Sequence, residues 1–398
     1  MKIGIYGGTF DPIHRGHLAA AAAAAEQLQL DRLVLIPDHV PPHKTLSASS
    51  ALPQQRLDMA VLATADLPCK AEVLDLELQR QGKSYTSDTL RALHQRWPEE
   101  ELWLLMGTDM FLSFHTWHEP EVIAQLASLA AFSRSADPHR REMEEQCRYL
   151  QKTYGARTVL LDNPHLVEIS STQLRQALAE GKGREYLTEP VYGYILRKGL
   201  YGTRADLRHL SREDLQAAAL SCLKPKRIRH VLGTAATAVE LARRYGAPEE
   251  AAWQAGILHD CTKKLDLEEQ LELCRRYGLE LDDLQRQALK LQHAITGAAV
   301  AREVFGMHPE VVSAIRWHTT GKPGMTVLEK VIYLADYIEP SRDFPGVEQL
   351  RQTVYEDLDR GMLLGLEMTI EEMQERGSPV HQDTLRARDW FAEKEGVK

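Results

Sequence analysis

Six short apolar runs alternate with helical stretches through the first two hundred residues, and no such run recurs after Arg204. The runs are Lys2–Tyr6, Arg32–Pro37, Lys70–Leu74, Leu102–Met106, Leu129–Phe132 and Thr158–Leu161. Helical stretches such as Pro53–Ala65, Ser87–Trp97 and His139–Tyr154 lie between them. Strands separated by helices pair in parallel through right-handed crossovers, so an α/β unit with a parallel sheet is expected. Its ligands should bind at the carboxyl ends of the strands. From Arg204 to the end the periodicity is helical, punctuated by a cap at Ser211–Asp214 and a break at Gly246-Ala247-Pro248. The second half should therefore be all-α. A short polar link, Tyr201–Leu210, joins the two, which puts the domains at 1–203 and 207–398.

The first strand runs into Gly7-Gly8-Thr9-Phe10-Asp11-Pro12-Ile13-His14-Arg15-Gly16-His17, and an alanine-rich helix, Leu18–Leu30, follows. Glycines let a backbone approach a phosphate, and a helix start offers free N–H groups and the positive end of its dipole. His14 and His17, three apart, share one face of that start. No Gly-Lys-Ser/Thr follows the glycines, so this is not a P-loop. It reads as a site for a nucleoside triphosphate attacked at its α-phosphate.

The chain has 398 residues, 43% hydrophobic and 26% charged, as expected of a water-soluble globular protein. Its net charge is −9, which argues against nucleic acid or an anionic membrane as the main partner. There is no signal-like start and no run of about 20 apolar residues. The five cysteines are scattered, without a C-x-x-C pair. A disulfide framework is not indicated, and a reducing cytoplasm fits best.

A second phosphate motif arrives at Ile169-Ser170-Ser171-Thr172-Gln173-Leu174-Arg175. Hydroxyls and amides at a helix start suit phosphate oxygens, and Arg175 adds a fixed charge one turn on. With His14-x-Gly16-His17 it resembles the nucleotidylyltransferase superfamily, a Rossmann-like α/β fold that binds ATP. Pro41-Pro42-His43-Lys44, Ser84-Tyr85-Thr86-Ser87-Asp88-Thr89, Met106-Gly107-Thr108-Asp109 and Trp117 narrow the resemblance to bacterial nicotinate-nucleotide adenylyltransferases. That resemblance implies ATP contacts at Gly7, Gly8, Thr9, Phe10, Gly16, Ser170, Ser171, Thr172 and Arg175. It also implies that Lys44 meets the acceptor phosphate and that Tyr85, Thr86 and Trp117 hold the pyridine ring and its carboxylate. Gly107 belongs to the same pocket and Asp109 lies near the ribose. His14 and His17 are catalytic, and magnesium accompanies the triphosphate. Asp11 is assigned no chemistry; His43, His115 and His118 are read as structural or solvent-facing.

The helical half carries His230, His259-Asp260, His293, His318 and Asp336 in order. Imidazole and carboxylate are ligands that iron, manganese or zinc accepts. Two metals about 4 Å apart activate water against phosphate esters and anhydrides. Asp260 is the expected bridge, because its two oxygens can face two ions, and it is counted as catalytic.

The order H…HD…H…H…D resembles the HD phosphohydrolase superfamily. Arg229–Thr234, His293–Gly297, Arg316–Gly321 and Ala335–Pro340 resemble its bacterial members that cleave dinucleoside tetraphosphates symmetrically. The resemblance implies two transition-metal ions on those six ligands, iron first, with manganese or cobalt as alternatives. Lys263 and Arg342 become candidates for substrate phosphates; His209, His308 and His381 stay structural. The expectation is a bifunctional cytoplasmic enzyme whose partners are ATP, nicotinate mononucleotide and dinucleoside polyphosphates, with a homo-oligomer allowed. Two alternatives stay open: an HD half that only senses nucleotides or cleaves another one, and a transferase that prefers nicotinamide mononucleotide.

Overall fold

The computed structural model describes residues 1–39, 50–80, 82, 84–133, 139–162 and 169–396. The chain divides into two compact units, Met1–Arg204 and Ala205–Lys398. Among the described residues no helix is long and apolar enough to cross a membrane.

The first unit is built on six strands: β1 (Lys2–Gly8), β2 (Arg32–Pro37), β3 (Ala71–Val73), β4 (Glu101–Met106), β5 (Ser128–Ser133) and β6 (Thr158–Asp162). They form one sheet in the order β3-β2-β1-β4-β5-β6, and every neighbouring pair is parallel. Leu33, Val34, Leu35 and Ile36 of β2 are all buried, although their side chains alternate between faces. Both faces of the sheet are therefore covered by helices, as a parallel sheet requires. The strand order reverses direction between β1 and β4, and that is where such sheets open a ligand crevice.

β1 extends two residues beyond the expected strand, through Gly7 and Gly8, which pair with Ile36 and Pro37 of β2. The glycines therefore end the strand rather than form a turn after it. The next helix begins at Arg15, not Leu18. The expected polar link is also shorter than its bounds. Tyr201 is buried in the core of the first unit, and Leu210 packs against the core of the second.

The second unit has no strand among its described residues. Helix Ile228–Tyr245 packs against helices Glu249–Leu258 and Val327–Ile338. It buries Val231, Ala235, Ala238 and Leu241 in their common core. Gly256 makes the first crossing close: a Cβ there would sit 2.7 Å from the Ala235 Cα. That approach, possible only without a side chain, brings the end of helix Glu249–Leu258 against the middle of helix Ile228–Tyr245.

Candidate functional site

In the first unit a cleft of about 580 Å³ opens over the carboxyl ends of β1 and β4. Gly7, Gly8, Thr9, Phe10 and His17 line it from the β1 side, Gly107 and Trp117 from the β4 side. Thr86, Ser170, Ser171, Thr172 and Arg175 complete that lining. Four other expected residues stand outside the lining. His14 is buried, 7% exposed, beneath its neighbours, and Gly16 lies in the first turn of the helix. Tyr85 precedes helix Thr86–Arg96 and stacks on His118, with ring centroids 4.3 Å apart. Asp109 sits exposed in the first turn of helix Thr108–Leu112. Lys44 and His43 lie outside the described residues.

The two histidines cap the helix for each other. The His14 Nδ1 accepts from the Gly16 amide at 3.1 Å, and the His14 amide donates to the His17 Nδ1 at 3.2 Å. An Nδ1 that accepts carries no proton, so both rings keep theirs on Nε2. Burial pushes the His14 imidazole down to about 4, which keeps it neutral. Ser170 is likewise a cap, exchanging hydrogen bonds with Gln173 at 3.2 and 3.0 Å. Its backbone and that of Ser171 still open the helix toward the cleft.

Several residues in or behind this cleft carry no short motif. Arg56 is fully buried and donates to the Thr9 carbonyl at 2.7 Å and to Asp38 at 3.0 Å. Thr9 also donates its hydroxyl to Asp38 at 2.8 Å, so a buried ion pair holds the loop after β1. Glu77 lines the cleft and accepts from the Thr89 hydroxyl at 2.8 Å; burial pushes its carboxyl up.

In the second unit the six expected ligands come from five helices or their ends. His259 follows helix Glu249–Leu258 and His318 follows helix Pro309–Trp317. His230, His293 and Asp336 lie inside helices Ile228–Tyr245, Leu289–Glu303 and Val327–Ile338. Asp260 is fully buried and stands between two groups. One of its oxygens lies 3.5 Å from the His259 Nε2 and 4.0 Å from the His230 Nε2. The other lies 3.2 Å from the His293 Nε2 and 3.9 Å from the His318 Nε2. Asp336 joins the first group, 2.8 Å from His230 and 3.7 Å from His259. Ligand atoms of His230, His259 and Asp260 lie within 4.8 Å of one another, as do those of Asp260, His293 and His318.

The outer contacts turn the Nε2 atoms inward. The His259 Nδ1 donates to the Gly256 carbonyl and the His318 Nδ1 to the Ile315 carbonyl, both at 2.7 Å. A carbonyl can only accept, so each ring keeps a proton on Nδ1 and turns its Nε2 to the cluster. His230 does the same through Glu339, 3.0 Å from its Nδ1. The inward nitrogens of His230 and His259 and one oxygen of Asp260 are buried and make no well-aligned hydrogen bond, their near neighbours being charged or ligand-type groups of the same cluster. Burial opposes the charge on Asp260, but His259, His293 and Lys263 outweigh it and hold the carboxyl well below its usual range. Burial also opposes a proton on His259, yet Asp260 and Asp336 push that ring up to about 9. The pocket therefore attracts positive charge, and its donors suit a divalent transition metal.

Lys263 sits 3.1 Å from Asp260, and Arg342 sits 2.7 Å from Asp336. Arg227, which carried no motif, also pairs with Asp260. Glu339 is the other contributor that motif reading passed over. It lies three residues past Asp336, on the next turn, and that spacing was the available signal.

A cytidylyltransferase-like family model matches residues 5–177, and an HD domain model matches residues 227–341. A probable nicotinate-nucleotide adenylyltransferase of Dictyoglomus thermophilum is 39% identical over 202 residues, which is 50% of this chain and 100% of that protein. A symmetrical bis(5'-nucleosyl)-tetraphosphatase of Bacillus subtilis is 37% identical over 183 residues, 46% of this chain and 98% of that protein. Its counterpart in Halalkalibacterium halodurans is 42% identical over 172 residues, 42% of this chain and 91% of that protein. Each kind of relative thus covers half of this chain or somewhat less. The chain belongs to the nicotinate-nucleotide adenylyltransferase family through its first half and to the HD-domain family through its second.

Proposed function

We propose that this is a bifunctional nucleotide enzyme. Its first unit transfers the adenylyl group of ATP to nicotinate mononucleotide, giving nicotinate adenine dinucleotide and pyrophosphate. Its second unit hydrolyses diadenosine tetraphosphate to two ADP.

For the first reaction, the observation that carries most weight is the crevice between β1 and β4, with both phosphate motifs in its lining. ATP lies with its phosphates along Gly7–Phe10 and the start of helix Ser171–Ala179. The acceptor ring lies against Trp117 and Thr86, and its phosphate attacks the α-phosphorus in line. The protein positions the two phosphates and stabilises the charge that builds between them. His17 donates from Nε2, in a tautomer held by the His14 amide. Arg175 would neutralise the leaving pyrophosphate, with a magnesium ion bound to the triphosphate supplying further positive charge.

For the second reaction, the decisive feature is Asp260, whose two oxygens face two separate histidine groups. His230, His259 and Asp336 would hold one ion, His293 and His318 the other, with Asp260 between them. Such a pair supplies a water ionised at neutral pH and a clamp for a bridging phosphate. Lys263, Arg342 and Arg227 surround the cluster with positive charge for the polyphosphate chain. The relatives' names support the symmetric product.

The intact protein should be assayed with ATP and each mononucleotide, and separately with a panel of dinucleoside polyphosphates. Equal use of nicotinamide mononucleotide would refute the acceptor. ATP plus AMP as products would refute the symmetric cleavage. Absence of hydrolysis with iron, manganese and cobalt supplied would make the second unit a nucleotide sensor.

A further inference from the structure

Asp11 ties together four segments that are far apart in sequence. It sits in the loop after β1, 2% exposed, between Phe10 and Pro12. Its Oδ1 accepts from the Ala51 amide at 3.0 Å, at the entrance of helix Pro53–Ala63. The same oxygen accepts from the Tyr201 hydroxyl at 2.7 Å. Its Oδ2 lies 3.3 Å from the Arg175 guanidinium, which also donates to the Asp11 carbonyl at 2.7 Å. Asp11 and Arg175 both line the cleft. Tyr201 does not; it is buried in the core behind them.

Each contact has a defined direction. Burial, and after it Asp11, push the Tyr201 phenol up, so it keeps its proton and acts as the donor. Asp11 then faces one charged partner, Arg175, and two neutral donors. A carboxylate held on one oxygen by two fixed donors presents the other in a fixed direction. That direction sets where the Arg175 guanidinium stands, and the carbonyl of the same residue repeats the constraint. Tyr201 itself is held in the left-handed region, φ 56°, where a tyrosine persists only if its surroundings impose it. The first unit ends three residues later, at Arg204.

We propose that Tyr201 is a positioning residue of the adenylyl-transfer site, acting through Asp11 on Arg175 and on the loop that leads to His14 and His17. The last turn of the first unit is thus part of its nucleotide site, although it touches no substrate. This rests on the reading of that unit as an adenylyltransferase.

Tyr201→Phe removes one oxygen and keeps the ring in the core. In the full chain it should lower kcat/KM for ATP about tenfold, as loss of one hydrogen bond to a charged acceptor would. KM for nicotinate mononucleotide should stay within about twofold, because the acceptor end of the cleft is untouched. A merely structural role would lower thermal stability and leave that split absent. Asp11→Ala should cost more, and Asp11→Ala/Tyr201→Phe should be no worse than Asp11→Ala alone. If Asp11→Ala does not fold, Asp11→Asn replaces it. With its oxygen kept toward Tyr201, the amide turns its NH₂ against the Arg175 guanidinium, so the link is already broken and Tyr201→Phe should add little in that background.

Wild-type kinetics in Tyr201→Phe would overturn the proposal. Independent, multiplying losses in the double variant with Asp11→Ala would also overturn it. Binding of ATP with magnesium, measured calorimetrically, keeps the test separate from the proposed reaction. If the wild-type chain transfers nothing to nicotinate mononucleotide, the functional reading fails. A roughly tenfold weaker ATP affinity in Tyr201→Phe would still uphold the positioning role, and an unchanged affinity would end it.

Discussion

Glu339→Gln should cost the second unit its first metal ion, for a reason that can be worked out from hydrogen bonds. The Oε1 of Glu339 faces the His230 Nδ1 at 3.0 Å and also accepts from the Ser341 hydroxyl at 2.5 Å. Its Oε2 accepts from the Ser341 amide at 2.7 Å. The carboxylate is 1% exposed, so water cannot replace a lost partner. Glutamine has only one oxygen. Turned to His230, it sets its NH₂ against the Ser341 amide, donor against donor. Turned to Ser341, it sets its NH₂ against His230, which must then move its proton to Nε2 and lose its lone pair for a metal. Either conflict costs about 1–3 kcal/mol. An outer partner of a metal-bound histidine is worth roughly 10–100-fold in affinity. Gly233→Ala should act on the same carboxylate, since a Cβ there would lie 2.5 Å from Oε2. The assay is titration of stripped protein with manganese, read by calorimetry and by bound metal after dialysis. Wild-type affinity in Glu339→Gln would mean that Glu339 does not set the tautomer of His230.

Four further outcomes are expected. His14, held down to about 4 by burial, takes up a proton less readily in the native than in the unfolded state. Stability of the first unit should therefore fall as pH drops below about 6.5, by up to roughly 3 kcal/mol near pH 4, and His14→Gln should flatten that slope in pH-dependent denaturation. If the acceptor's ring carboxylate is held near Thr86 and Trp117, nicotinate mononucleotide should exceed nicotinamide mononucleotide in kcat/KM by about 100-fold or more; near-equal values would mean the carboxylate is not read. Fragments 1–203 and 207–398 should each fold and keep their own reaction, which circular dichroism and separate assays will check. A first fragment cut before Tyr201 should lose ATP affinity.

Local signals in the sequence carried the fold well. Alternating apolar runs located every strand of the sheet, and the loss of that alternation located the all-α half. Errors came where a glycine or histidine could serve two roles. Gly7 and Gly8 continue β1 because β2 still offers them partners. His14 caps its helix instead of lying on a face of it, because its ring can accept the Gly16 amide. The histidines and aspartates that cluster in the second unit stood out because imidazole and carboxylate are the side chains a transition metal accepts. Arg56, Asp38, Glu77 and Arg227 were not, since their partners are set by packing of distant segments and any of them reads locally as a surface charge; Glu339 was marked only by its spacing from Asp336. Tyr201 was assigned to a polar link for the same reason: nothing next to it in sequence points to Asp11.

The central claim is that one chain carries two separate chemistries. Its most direct test assays both reactions on full-length His17→Ala and Asp260→Ala, with nucleotides resolved by chromatography. His17→Ala should lower adenylyl transfer by about 10²–10³-fold, as loss of one positioned donor does. It should leave ADP formation from diadenosine tetraphosphate intact. Asp260→Ala should lose both metal and hydrolysis while adenylyl transfer proceeds at the wild-type rate. Loss of both reactions in either folded variant, or of neither, would contradict the account.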